Sequence, residues 1–161
     1  MTTSLDVPPP PEPAPGSDWT LSSLADADVG SRAYAAAPRG GGPAAELRLH
    51  RVQHHPLRAA YPYGAHDIAL ALVLPDRSEA GQEQAGRLLG DLVPALFTAD
   101  PRCRRVVAAP AEDDTAAQTA LANGGFRRVT EVDLPGGSVV LFTAEPPWIA
   151  DLSTALDDMP H

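Results

Sequence analysis

Two periods of apolar positions run along this chain, and they predict its elements. From Glu46 to Gln53, Leu47, Leu49 and Val52 fall close to the two-residue period of a strand. Asp67 to Leu74 (DIALALVL) is a continuous apolar run closed by Pro75, which predicts a buried central strand. The period then lengthens. Ala85, Leu88, Leu89, Leu92, Val93 and Leu96 lie three and four apart and predict a helix from near Ser78 to about Thr98. Ser78 suits its N-cap, and Asp100-Pro101 stops it. Pro94 falls inside this pattern and predicts a kink or a shortened helix.

Arg104 to Ala109 predicts the next strand. Thr115 to Asn123 predicts a short helix capped by Asp113 or Asp114, with Gly124 as a left-handed C-terminal cap. Arg127 to Leu134 and Ser138 to Thr143 read as strands joined by the turn Pro135-Gly136-Gly137. The start of the chain is less regular. Trp19 to Leu21 suggests a short strand and the stretch from about Leu24 to Ala37 a helix. Arg39 to Pro43 reads as a flexible connector and His54 to Ala65 as a loop. Trp148 to Leu156 suggests a C-terminal helix that frays at Asp157-Asp158, since acids are unfavourable at a helix C-terminus. The order predicts an α/β (mixed α+β) sheet with helices packed on it.

Length and composition narrow the picture. A chain of 161 residues suits one core. The proline-rich residues 1–18 cannot bury enough apolar surface to offset their ordering entropy, and are expected to form a disordered tail. Residues 19–145 are then the domain and 146–161 an extension. Net charge is −9, which disfavours nucleic acid and anionic membrane as partners. No run approaches the length that spans a bilayer, and the first residues lack the basic and apolar parts of a leader. Cys103 is the only cysteine, so no internal disulfide can form; a lone thiol fits a cytoplasmic location.

Several side chains invite a chemical reading. His50, His54 and His55 cluster, but on a strand only His50 and His54 share a face. With no fourth ligand evident, surface histidines on an edge strand are the expectation. Cys103 sits among Arg102, Arg104 and Arg105, without a nearby histidine in sequence, and reads as structural. Tyr61 and Tyr63 flank Pro62 and either line a pocket or pack a loop. Nucleophile elbows, Walker loops and dinucleotide fingerprints are absent.

One longer pattern carries more weight. Residues 45–145 contain, in one register, ELRLHRVQHHPLRAAYPYGAHDIALALVLP, then Phe97, Asp100-Pro101, Arg105-Val106-Val107, Pro110, Gly125-Phe126-Arg127 and Glu131-Val132-Asp133-Leu134-Pro135. This series resembles the GNAT acyltransferases, and within them the hydroxamate siderophore N-acyltransferases of the aerobactin and mycobactin type. The resemblance implies a GNAT-like, mostly antiparallel central sheet flanked by helices in a single domain. It implies acetyl-CoA or another acyl-CoA as donor. The acceptor would be an amine or hydroxylamine of a small molecule, and a homodimer or a partner biosynthetic enzyme would be the protein company. The pantetheine arm would lie along Leu72, Val73 and Leu74. The pyrophosphate would rest at the start of the next helix, on Gln82, Gln84, Ala85, Gly86 and Arg87, with Asp114 nearby.

The chain departs from the family pattern at its chemical positions. Only Gly86, and in part Ala85, meets the glycine requirement of the phosphate loop, and Glu83 adds a like charge. The place of the family's histidine falls at Leu70, and its acid-proline-acid pattern here reads Ala109-Pro110-Ala111. His66 with Asp67, and Glu112 with Asp114, are the candidate substitutes for the catalytic groups. Helix capping explains the acids without chemistry. Three functions follow as expectations: an acyl-CoA-dependent N-acyltransferase, a catalytically degenerate GNAT-like protein that binds a metabolite or a partner, or the same fold recruited to a different biosynthetic reaction.

Overall fold

A computed structural model describes residues 10–12, 14–24, 31–42, 45–52 and 64–146. Seven strands and two helices follow the order β1 (Trp19–Ser23), β2 (Arg32–Pro38), β3 (Ala45–Arg51), β4 (Ile68–Val73), α1 (Glu79–Ala99), β5 (Val106–Ala108), α2 (Thr115–Asn123), β6 (Arg127–Leu134) and β7 (Gly137–Ala144). The strands form one sheet in the order β1-β2-β3-β4-β5-β7-β6. Only β4 and β5 run parallel; the other neighbours are antiparallel. The expected mixed sheet with flanking helices is what the chain forms.

Strand alternation splits the sheet into two faces. Leu47 and Leu49 of β3, Ile68 and Leu70 of β4, Val106 of β5, and Val140 and Phe142 of β7 meet both helices in the main core. The opposite face carries a smaller cluster of Val52, Ala69, Val107 and Leu141, with Val132 and Leu134 against it. Helix α1 seals the main core with Leu88, Leu89, Leu92 and Leu96, each almost fully buried. Ser78 caps it, its hydroxyl accepting from the Gly81 amide, and Trp19 Nε1 donates to Asp91 Oδ2 at 2.8 Å to fix β1 to the helix.

Three expectations change. A helix from about Leu24 does not reach Ala37: Arg32–Pro38 is a strand, paired on one side with β1 and on the other with β3, and residues 25–30 lie outside those described. Its alanines are the best helix formers, but the preference is worth only tenths of a kcal/mol per residue, on the order of 0.5, and ladder bonds on both sides outweigh it. Pro94 neither ends nor shortens α1, which runs on to Ala99. The ring is exposed, and the buried leucines on either side outweigh the roughly 3 kcal/mol that an interior proline costs. Gly124 is not left-handed, with φ at −82°. Gly125, at φ +95°, makes that turn. Gly124 serves packing instead: a Cβ there would meet Leu89 Cβ at 2.6 Å. The C-terminal helix expected over Trp148 to Leu156 lies outside the described residues, as do residues 1–9 of the tail.

The join between β4 and β5 rests on one carboxylate. Asp67 is buried just before β4. Its Oδ1 accepts from the backbone amides of Arg104 and Arg105, each at 3.1 Å, and its Oδ2 accepts from Gly64 at 2.9 Å. Nearby, Arg51 of β3 is also buried. Its Nη1 donates to the His66 carbonyl at 2.5 Å and pairs with Asp100, the C-cap of α1, at 2.7 Å. Together these groups fix the N-terminal ends of β4 and β5 and the C-terminal end of α1.

Replacing Asp67 with alanine orphans three backbone donors. Asp67→Ala is expected to lower unfolding free energy by about 3 kcal/mol in urea titration, and a loss under about 1 kcal/mol would contradict the role assigned to it. Gly124→Ala forces a Cβ into Leu89, and should cost about 1–3 kcal/mol by the same measurement.

Candidate functional site

Strands β4 and β5 pair over only two positions, Ile68 with Val106 and Ala69 with Val107. Beyond them the two part. β5 stays with β7, because the pairing continues past Ala108: Ala111 bridges Val139, Val140 N donates to Pro110 O, and Glu112 N donates to Ser138 O. β4 stays with β3 as far as Val73. A wedge therefore opens in the middle of the sheet. It holds a cavity of about 230 Å³ between Leu70–Leu72 of β4 and Ala108–Ala111 after β5, with Asp114, Ala117 and Leu121 of α2 and His50 of β3 completing the wall. On the side of β4 turned away from β3, the backbone groups of Leu72 lie beyond the last position paired with β5 and have no strand partner.

The mouth of the wedge lies between the N-termini of the two helices. Asp114 caps α2, its Oδ1 accepting from the Ala117 amide at 3.1 Å. The same oxygen pairs with Arg77 from the loop before α1. This ion pair is the cross-link between the two helix starts. The α1 start is acidic otherwise. Asp76 Oδ1 accepts from the Ser78 amide at 3.0 Å, and hydrogen bonds from Ser78 hold the exposed Asp76 carboxyl below its ordinary pKa. Glu79 follows in the first turn.

A sequence model of the acetyltransferase (GNAT) domain family matches residues 21–134. The chain belongs to the GNAT acetyltransferase domain family. Its solved structural neighbours share the fold. The crystal structure of an uncharacterized protein from Bacillus halodurans aligns with TM-score 0.62 and 22% identity, over 71% of this chain and 58% of that one. The aminoglycoside acetyltransferase AAC(6')-Ib, in complex with paromomycin and acetyl-CoA, aligns with TM-score 0.60 and 20% identity, over 71% and 64%. The same enzyme with coenzyme A and kanamycin aligns with TM-score 0.62 and 18% identity, over 76% and 71%. This chain thus spans less than two thirds of the length of the first two. No curated protein sequence matches it.

Within this GNAT domain the expected site residues separate. Leu72 and Asp114 line the wedge, and Val73 and Leu74 continue β4 toward its mouth. Glu112 is exposed on the rim beside Asp113. The other candidates lie elsewhere. Gln82 ends the first turn of α1, its amide already donating to the Ser78 carbonyl at 2.9 Å, and Gln84, Ala85, Gly86 and Arg87 lie deeper, where intrahelical bonds likewise occupy the backbone amides. Gly86 is the small residue of a helix crossing, since a Cβ there would meet Asn123 Cβ at 2.6 Å. Gln84 and Ala85 border a separate crevice against Trp19 and Leu74. His66 and Asp67 do not form a proton-relay pair: both Asp67 oxygens bind backbone amides, and neither residue lines the wedge.

Sequence reasoning passed over His50. It was expected on an edge strand, but β3 lies inside the sheet between β2 and β4. The alternation of Leu47 and Leu49 toward the helices already put His50 on the other face. His54, His55, Tyr61 and Tyr63 lie outside the described residues. Among those described, no group of three or more His, Cys, Asp or Glu side chains is arranged to hold a metal ion, and no helix is long and apolar enough to cross a membrane.

Cys103 is structural. It is buried, its thiol donates to the Arg105 carbonyl at 3.3 Å, and burial with the nearby Asp67 and Asp100 charges pushes its pKa up to about 12. The folded state therefore favours the neutral thiol. Its contribution to stability is complete below the unfolded value near 9 and is lost as pH rises toward about 12. Native protein at pH 8 should accordingly react with a disulfide dye far more slowly than protein in denaturant, at least a hundredfold on a stopped-flow trace. Asp114→Ala should cost about 1 kcal/mol through loss of the α2 cap, while Arg77→Ala should cost less, because its ion pair is largely exposed; urea melts of the two variants make the comparison.

Proposed function

We propose that this chain is an acyl-coenzyme A-dependent N-acyltransferase that acts on a primary amine or hydroxylamine of a small metabolite. The observation that carries the reading is the wedge where β4 leaves β5. It offers a slender apolar slot beside a strand edge rich in backbone donors and acceptors, which suits an arm bearing amide groups. Family membership and the acetyl-CoA in a structural neighbour support the donor class.

In this reading the acyl-pantetheine lies along Leu70 to Leu74. The acceptor nitrogen attacks the thioester carbonyl carbon, a β4 backbone amide holds the oxyanion, and the C–S bond breaks as the tetrahedral adduct collapses. The coenzyme thiolate leaves, and the proton lost by the amine passes to a base and then to the thiolate. Arg77 exchanges Asp114 for the donor pyrophosphate at the mouth. Glu112 and Asp113 border an open concavity of about 930 Å³ under the β6–β7 turn, where carboxylates favour a cationic acceptor. The pattern from Phe97 to Phe142 supports a siderophore-type acceptor, while the AAC(6')-Ib neighbours were solved with aminoglycosides.

A second reading, a GNAT domain that binds a metabolite or partner without turnover, draws support from the acids at the α1 start and from the structural engagement of Asp67 and Asp114. Isothermal calorimetry with acetyl-CoA tests the first. Binding at micromolar to low millimolar concentration is expected, and Ala71→Trp, which fills the wedge from the exposed face, should weaken it at least tenfold. No heat from the unmodified protein at millimolar ligand would sink the donor assignment.

A further inference from the structure

We infer that His50 is the proton acceptor for the attacking amine. This inference rests on the acyltransferase reading and supplies the group that reading leaves open. The argument begins with the strand faces. His50 is on the side of β3 away from the helices, opposite Ala69 of β4 in the antiparallel register. The β4 residues on that face next to it are Ala69 and Ala71. Neither side chain extends beyond Cβ, so the imidazole reaches across β4 and lines the wedge from the strand behind. A leucine at either alanine would wall it off.

The position fits the reaction. The acyl-bearing end of an arm bound along β4 lies in the part of the wedge bordered by Ala69 to Leu72. An acceptor approaches from the sheet face opposite the helices, the side open beside Ala71 and Val73, of which Val73 is 49% exposed. His50 is on that same face. The other candidate bases do not share this placement: Asp67 and His66 do not line the wedge, and Asp114 enters it from α2 on the helix side. Glu112 is on the rim under the β6–β7 turn.

Arg48 lies two residues from His50 on the same strand face, and Glu46 beyond it. Asp114 of α2 faces it across the wedge. β4 and the end of β5 present Ala69, Ala71 and Ala109. A neutral imidazole takes one proton from the adduct nitrogen and returns it as the thiolate departs, while an acceptor that arrives as ammonium first releases a proton to water, so no further reactant is needed.

The test uses the full chain with acetyl-CoA, and O-methylhydroxylamine, whose nitrogen is neutral throughout the histidine range, as a minimal acceptor, with thiol release followed against pH. In parallel, imidazole resonances are recorded by NMR during titration with coenzyme A, and His50→Gln assigns the His50 signal. For the unmodified protein, kcat/KM should rise with pH through one midpoint and level off. His50→Gln should lower kcat at least a hundredfold, remove that midpoint and leave coenzyme A affinity within threefold. The His50 resonance should move on titration and the His66 resonance should not. Unchanged kcat and pH profile in His50→Gln, with coenzyme A still bound, would overturn the role of His50 alone. No coenzyme A binding by the unmodified protein would overturn the acyltransferase reading and this inference together. A His50→Gln protein that unfolds is replaced by His50→Asn, and an unmoved His50 resonance in the bound unmodified protein overturns the inference without any variant.

Discussion

The buried carboxylate of Asp67 is the constraint on which the site depends. A parallel strand pair has no hairpin to hold it in register, and here it has only two register positions of its own. Asp67 supplies the missing tie. It gathers the amides of Arg104 and Arg105 beside the start of β4, and the Ile68 amide completes the join by donating to Arg105 O. A charged acceptor shared among backbone donors in a buried place is a strong fixture, because the alternative leaves every one of those groups unpaired. With the strands clamped at one end and drawn to different partners at the other, β4 to β3 and β5 to β7, their parting follows from the topology.

The same arrangement assigns polar groups to separate tasks. At the closed end, Asp67, Arg51 and Asp100 maintain the frame, with the Cys103 thiol buried among them and held neutral. At the open end, Arg77 and Asp114 join the two helix starts across the mouth, an exposed pair that can be exchanged at little cost. Between the two ends the wall is almost entirely alanine, leucine and proline. Small side chains keep the slot open, and they let a histidine on the next strand reach it.

The sequence disclosed elements in proportion to how fully they are buried. The leucines of α1 face one core and their period stands out, while β4 stands out by its unbroken apolar run. Asp114 was legible as a cap, since an acid before an apolar helix has few other uses. β2 was misread because Ala33, Ala35, Ala36 and Ala37 carry no period, and the ladders that make it a strand come from distant residues. Pro94 misled because its cost is local and the burial that outweighs it is not. The wedge was foreseen only through family resemblance. The register at which β4 and β5 stop pairing depends on contacts 37 and 38 residues apart in the chain. For the same reason His66 and Asp67 looked like a pair in sequence while the structure gives Asp67 to the backbone. His50 had a signal in the strand alternation, but the two alanines that clear its path mattered only once β4 lay beside it.

Hydrogen–deuterium exchange of β4, read by NMR with and without saturating acetyl-CoA, tests the central claim most directly. The Leu72 amide, on the side of β4 away from β3 and beyond the last position paired with β5, should slow at least tenfold when ligand is bound, while the Ile68 amide, which already donates to Arg105 O, should keep its rate. Unchanged exchange along β4 at saturation, or protection confined to another strand, would contradict the account.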